Sequence, residues 1–76
     1  MEPRAGFLQR RLAQGLTQFR GETSQNQFAR QLGISNASLN RIENQQQNVS
    51  LATLEKFCRA LNCDIGDLFP PESEGT

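Results

Sequence analysis

The sequence contains no histidine and only two cysteines, so it cannot supply the four nitrogen or sulfur ligands of a structural zinc site. Cys58 and Cys63 lie five residues apart. This spacing leaves a disulfide open, but we expect two free, buried thiols in a reducing cytoplasm. The chain also lacks a glycine-rich phosphate loop and paired carboxylates on an apolar background. We therefore expect no catalytic site, no metal and no cofactor.

Long apolar runs are missing as well. No stretch approaches the roughly 20 apolar residues that span a bilayer, and Met1 to Gly6 lacks the apolar centre of a signal peptide. These absences predict a cytoplasmic protein without a membrane partner. A chain of 76 residues forms one small domain with a limited core, for which dimerisation would be a natural support.

A basic surplus is the next absence, since eight Lys and Arg residues balance eight Asp and Glu residues. Nucleic-acid-binding domains usually carry excess positive charge. The balance therefore argues against a strong non-specific electrostatic attraction to DNA. The chain is instead rich in amides, with nine glutamines and six asparagines. Amides donate hydrogen bonds to phosphates and base edges without adding charge.

The apolar residues recur at helical spacing from Phe7 onward. Leu8, Leu12, Leu16 and Phe19 follow one another at intervals of four, four and three, which predicts a first helix. Gly15 inside this run costs about 1 kcal/mol relative to alanine and weakens the prediction of a continuous helix. Residues 1–6 are expected to be frayed, and Gly21 is a suitable terminator.

Cap residues divide the rest of the chain into further short helices. Ser24 begins a capping box before a helix over 25–32, and Gly33 can end that helix in the left-handed conformation. Ser35 then caps a helix over 36–44. The five amides of 44–48 predict a loop, Ser50 caps a helix over 51–61, and a last short turn precedes Pro70.

No segment shows the alternating pattern of a strand, so the sequence predicts an all-α fold, a compact five-helix bundle. Periodicity places eight apolar side chains in its core: Phe19, Phe28, Leu32, Leu39, Ile42, Leu54, Phe57 and Leu61.

The order of these features resembles the Cro/phage-repressor family of helix-turn-helix transcriptional regulators. The resemblance covers 20–69 and depends on Gln25, Phe28-Ala29, Gly33-Ile34-Ser35, Leu39, Ile42-Glu43, Ser50-Leu51, Thr53-Leu54 and the closing Asp64-Ile65, Asp67-Leu68-Phe69. It implies a lambda-repressor-like DNA-binding domain over 20–69. Residues 1–19 would form the N-terminal part of a long first helix, and 70–76 a disordered acidic tail.

The resemblance also assigns roles to individual residues. The start of the third helix would face bases through Ser35, Asn36, Ala37, Asn40 and Arg41. Phosphates would be contacted by Ser24, Gln25, Asn44 and Gln46. Arg20 and Glu43 resemble an arginine–glutamate pair that ties the first helix to the third. The alternative for the polar positions is a solvated helix face, and for the amide loop a flexible linker.

The function that follows is a sequence-specific DNA-binding transcriptional regulator. It would act as a repressor that binds an inverted-repeat operator as a homodimer. Two surfaces are candidates for the dimer interface: 63–69, and the first helix around Phe7 and Arg11. The alternative, suggested by the zero net charge, is a protein-binding module such as the antitoxin of a toxin–antitoxin pair, whose partner would be a toxin or an antagonist.

Overall fold

Five helices account for most of the chain. The computed structural model describes residues 6–71, and this part contains no strand. The helices are α1 (Phe7–Arg20), α2 (Gln25–Leu32), α3 (Asn36–Glu43), α4 (Leu51–Leu61) and α5 (Ile65–Leu68). α1 packs on α3 and α5, α2 packs on α3 and α4, and α4 packs on α5. The predicted all-α five-helix bundle is confirmed.

The ends of the chain bear on the predicted domain division. The expected frayed start and disordered acidic tail fall mainly on residues 1–5 and 72–76, which lie outside the described residues. The division into 1–19, 20–69 and 70–76 therefore stays a prediction.

The helix boundaries follow from local cap chemistry. The hydroxyl oxygens of Ser24, Ser35 and Ser50 each accept the backbone N–H three residues later. Gly33 ends α2 with φ of 79°, and Asn62 ends α4 with φ of 53°, both in the left-handed region. Each cap satisfies backbone groups that a helix end leaves without a partner. α2 and α4 accordingly begin and end where the sequence predicts.

Gly15 has a different role from the expected one. α1 runs unbroken through it, and Gly15 is buried. A Cβ atom at this position would lie 2.0 Å from the carbonyl oxygen of Leu68 and 2.9 Å from Cδ of Pro70. The absent side chain thus lets the backbone of α5 approach α1 directly. The cost of glycine in a helix is offset by this contact.

Arg11 fastens the same contact between the first and last helices. Its Nε donates to the carbonyl oxygen of Pro70 at 2.8 Å, and its Nη2 donates to that of Phe69 at 2.7 Å. The guanidinium also lies 5.9 Å from the centre of the Phe7 ring, within the range of a cation–π contact. Arg11 is therefore a half-buried structural residue.

The core lies where the five helices converge. Phe28, Phe57, Leu16, Leu32, Leu39 and Leu68 are its largest fully buried side chains. Leu61 is half-buried against this core. The prediction that Phe19 is a core residue is wrong, because its side chain is 39% exposed. Phe19 lies in the last turn of α1, beyond the buried part of the helix, which ends at Leu16.

Both cysteines are free and half-buried, close to the end of α4. Burial is the main cause that raises the pKa of the Cys63 thiol, and the neighbouring Cys58 and Asp67 raise it further. The thiolate is the reactive form of cysteine. Cys63 is therefore held in its unreactive, protonated form at neutral pH.

Candidate nucleic-acid interface

α2 and α3 form two short helices joined by a tight corner. Gly33 supplies the left-handed residue that turns the chain, and Lys56 of α4 donates to its carbonyl oxygen at 3.4 Å. α2 buries Phe28, Ala29 and Leu32, while α3 buries Leu39 and Ile42. Both helices thus attach to the core by one face. The opposite face of α3 is left to the solvent.

The outward face of α3 carries all the side chains for which base contacts are predicted. The five residues are exposed: Ser35, Asn36, Ala37, Asn40 and Arg41. The Ser35 hydroxyl oxygen accepts the N–H of Ser38 at 3.0 Å, so its own O–H remains able to donate. Asn36 and Asn40 offer amides, Ala37 a methyl group and Arg41 a planar fork of donors. This set matches the chemistry of base edges in a major groove.

The predicted pair of Arg20 and Glu43 links α1 to α3. Arg20 donates through Nε to Oε2 of Glu43 at 2.9 Å, and through Nη2 to Oε1 at 3.1 Å. The Glu43 side chain is only 9% exposed. Two parallel bonds in a poorly solvated place fix the tilt of α3 against α1.

Gln25 extends this pair towards the solvent. Its Nε2 donates to Oε1 of Glu43 at 3.1 Å, and its Oε1 lies 3.5 Å from Nδ2 of Asn40. The amide predicted to contact a phosphate is therefore held, half-buried, between the carboxylate of Glu43 and the exposed amide of Asn40. Nε2 carries two N–H groups, so one remains able to donate to a phosphate while the other bonds to Glu43.

The other predicted phosphate residues lie on exposed backbone at the edges of the two helices. Ser24 caps α2, and Asn44 donates from Nδ2 to the carbonyl oxygen of Asn40 at 2.9 Å. Gln45 adopts φ of 62°, which turns the loop sharply. The N–H of Gln46 then bonds back to the carbonyl oxygen of Arg41 at 2.7 Å, and its side chain is exposed.

Sequence reasoning missed one contact at this surface. Nε of Arg41 donates to Oε1 of Gln47 at 2.9 Å, so the amide loop holds the arginine of α3. The reversal at Gln45 brings the two residues together, and a left-handed glutamine has no distinctive sequence signal. The loop is thus a positioning element for Arg41.

The charge at this surface is simple. α3 contains one basic residue, Arg41, and one acidic residue, Glu43. Because Glu43 is paired with Arg20 and turned inward, the outward face of α3 carries only the charge of Arg41. A face with amides, a methyl group and one guanidinium can read bases but adds little general attraction to phosphates.

Comparison with known families decides what this arrangement is. A family model described as the Cro/C1-type HTH DNA-binding domain matches residues 20–74. The chain belongs to this family. The match begins at Arg20, the arginine that pairs with Glu43, and includes the whole α2–α3 unit.

Two solved structures are similar to this Cro/C1-type domain. The hypothetical transcription factor NHTF from Neisseria is 30% identical with a TM-score of 0.74, over 84% of this chain and 76% of that chain. The restriction-modification controller protein C.AhdI from Aeromonas hydrophila is 28% identical with a TM-score of 0.70, over 80% of this chain and 96% of that chain. No curated protein matches the chain.

These findings confirm the resemblance drawn from the sequence. The Cro/C1-type protein is a DNA-binding transcriptional regulator. Within residues 6–71, no helix is both long enough and apolar enough to cross a membrane. The same residues contain no cluster of three or more side chains suited to hold a metal ion.

Proposed function

We propose that the protein is a cytoplasmic repressor that binds an inverted-repeat operator as a homodimer. One α3 would enter each of two successive major grooves, about 34 Å apart along the DNA. The observation that carries the proposal is the composition of the exposed α3 face, on which every outward side chain can contact a base edge and none is acidic.

Each residue of this face has a distinct role in the proposal. Arg41 donates two parallel bonds to O6 and N7 of a guanine, while Asn36 or Asn40 pairs with N6 and N7 of an adenine. The methyl group of Ala37 contacts a thymine methyl group, and the free O–H of Ser35 donates to either a base or a phosphate.

Phosphate contacts would surround this face on both sides. The first turn of α2 presents backbone N–H groups beside Ser24 and Gln25, where a helix end favours an anion. On the other side, Asn44 and Gln46 present exposed amides in the turn after α3. These neutral donors would fix the register of the protein on DNA without adding charge.

Two neighbouring surfaces could form the homodimer. Arg11 of α1 is bound to the backbone of 69–70, so the two candidate interfaces predicted from the sequence lie side by side. Phe7 and Ile65 are both exposed, at 38% and 45%. Each of these exposed apolar side chains would be covered if its helix formed the dimer interface.

The decisive experiment is a selection of bound sequences from a random duplex library. An inverted repeat would establish the dimer and the spacing of its half-sites together. On the selected site, Arg41→Ala should weaken binding by ~1–3 kcal/mol and relax the preference at one base pair. Arg59→Ala, on the exposed surface of α4, is the control that should leave binding unchanged.

Two outcomes would count against the proposal. An equal loss on every sequence would mean that Arg41 contacts only phosphate. Absence of a DNA shift at low salt, together with co-purification of a toxin-like protein, would favour the protein-binding alternative.

A further inference from the structure

An apolar pocket opens between the start of α1, the amide loop and the start of α4. Its volume is about 290 Å³. Leu12, Ile42 and Leu54 form the floor, and these three side chains also belong to the core. An apolar cavity of roughly 150 Å³ is enough to hold benzene, so by the same ratio this pocket has room for about twelve non-hydrogen atoms.

The lining indicates the chemistry of an occupant. None of the ten described residues that line the pocket is ionisable, and seven of them are apolar. The remaining three are the amides of Gln9, Gln47 and Asn48, and Gln9 donates to Asn48 across the rim. A charged molecule would lose hydration here without gaining a counter-charge. The pocket therefore favours a neutral, largely apolar molecule with one hydrogen-bonding group.

Gln47 connects this pocket to the recognition face. It lines the pocket, and its Oε1 accepts the bond from Nε of Arg41 at 2.9 Å. A molecule that donates to Oε1 of Gln47, or displaces the amide, competes directly with Arg41. Without this bond Arg41 regains its side-chain freedom, and a flexible arginine loses more entropy when it binds a base.

We propose that the pocket binds a compact neutral aromatic or alicyclic effector, and that the occupied pocket weakens DNA binding through Gln47 and Arg41. The second part rests on the proposed function, because it requires Arg41 to contact DNA. The coupling is reciprocal, so bound DNA must lower the affinity for the effector by the same factor.

The first test concerns the pocket alone, without DNA. 1-Naphthol is the probe, because it is neutral, largely apolar and carries one hydroxyl group. The control is 1-naphthoate, which has the same ring system but a negative charge. In ¹H–¹⁵N spectra of the labelled protein, 1-naphthol should cause saturable shifts at Val49, Leu51, the Gln47 side-chain amide and Nε of Arg41. Val49→Phe places a larger side chain in the lining of the pocket and should abolish these shifts. The rest of the spectrum of this variant should remain that of a folded protein.

Three results would overturn the pocket proposal. The first is the absence of saturable shifts at these positions in the wild type. The second is an equal response to 1-naphthoate, which would show that the uncharged lining selects nothing. The third is a set of shifts that follows protein concentration instead of probe concentration. Because Leu51 is 83% exposed at the pocket mouth, that third result would assign the surface to a second copy of the chain.

The second test measures the coupling on the selected DNA site. Saturating 1-naphthol should weaken DNA binding by the wild type by about 5-fold or more. The ratio of the DNA dissociation constants with and without 1-naphthol should fall towards one in Gln47→Ala, which lacks the amide that lines the pocket and bonds to Arg41. It should keep its wild-type value in Gln31→Ala, a control on the exposed surface of α2. A wild-type ratio near one, with 1-naphthol bound, overturns the coupling. If the wild type selects no DNA sequence at all, the proposed function fails. The spectra then still show whether the pocket binds 1-naphthol.

Discussion

Replacing Gly15 by alanine tests the packing of α1 against α5. Judged from helix propensity alone, Gly15→Ala should stabilise the protein, because alanine favours a helix over glycine by about 1 kcal/mol. The structure predicts the opposite. The new methyl group would lie 2.0 Å from the carbonyl oxygen of Leu68 and 2.7 Å from the carbonyl carbon. Both atoms belong to the backbone, so no side-chain rotation can relieve the overlap.

The expected magnitude follows from these two opposing effects. Overpacking a tight contact costs typically 1–3 kcal/mol and more when backbone must move. After the helix gain is subtracted, the free energy of unfolding should fall by ~2 kcal/mol. A domain of this size has a total stability of only about 4–11 kcal/mol. For such a domain, a loss of ~2 kcal/mol lowers the Tm by about 10 °C.

Urea and thermal unfolding, followed by circular dichroism, measure this change. Gly66→Ala is the matched control, since Gly66 lies in the short helix α5 and a Cβ there meets no atom within 4 Å. It should be neutral or stabilise the protein by up to ~1 kcal/mol. If Gly15→Ala proved as stable as the wild type, the close approach of α5 to α1 would be refuted.

Three further predictions concern the arginine contacts and the surface charge. Arg11→Met should lower the free energy of unfolding by ~1–3 kcal/mol in a urea titration, because two carbonyl oxygens lose a charged donor. Its control is Arg59→Met, which breaks the pair with Glu55, whose side chains are 78% and 64% exposed. This variant should cost less than ~1 kcal/mol in the same titration. Glu43→Gln should cost ~2 kcal/mol by leaving Arg20 without its carboxylate, and an unchanged unfolding midpoint would deny the pair a structural role. On the selected DNA, the slope of log Kobs against log[salt] should be shallower than the roughly −5 of six phosphate contacts, and a steeper slope would show a basic surface other than Arg41.

The sequence predicts the helices well because their boundaries depend on residues close to each helix end. Ser24, Ser35 and Ser50 act within three residues of their own positions, and no distant contact is needed to place them. The separation of α3 into buried and exposed positions follows equally from its 3.6-residue period. Gly33 is predictable for the same reason, since only the chain direction at the corner decides its conformation.

The misses share a different cause, which is dependence on a partner far along the chain. Gly15 looks like a weak point in α1 until Leu68, 53 residues later, is placed against it. Phe19 fits the apolar stripe, yet its exposure depends on where the packing of α1 ends in space. Sequence periodicity describes one helix at a time and contains no information on these distances.

The sequence predicts which residues belong to the candidate site better than it predicts the contacts among them. The motif names Arg41 and Gln25, but not that Arg41 is held by Gln47 or that the Gln25 amide faces Glu43. Amide side chains bond to many partners with similar energy, so only the folded geometry selects among them. Whether these residues contact DNA stays a prediction for the selection and the Arg41 variant.

The contact between α1 and α5 has a consequence for the kinetics of folding. Most pairs of packed helices are close in sequence, whereas the bond from Arg11 to Phe69 closes a loop with a separation of 58 residues. Joining distant segments costs loop entropy before it gives stability. If this closure follows the transition state, damage to it leaves the folding rate nearly unchanged and accelerates unfolding. The lifetime of the folded protein would then depend on the contact of α1 with α5 and with the two residues that follow α5.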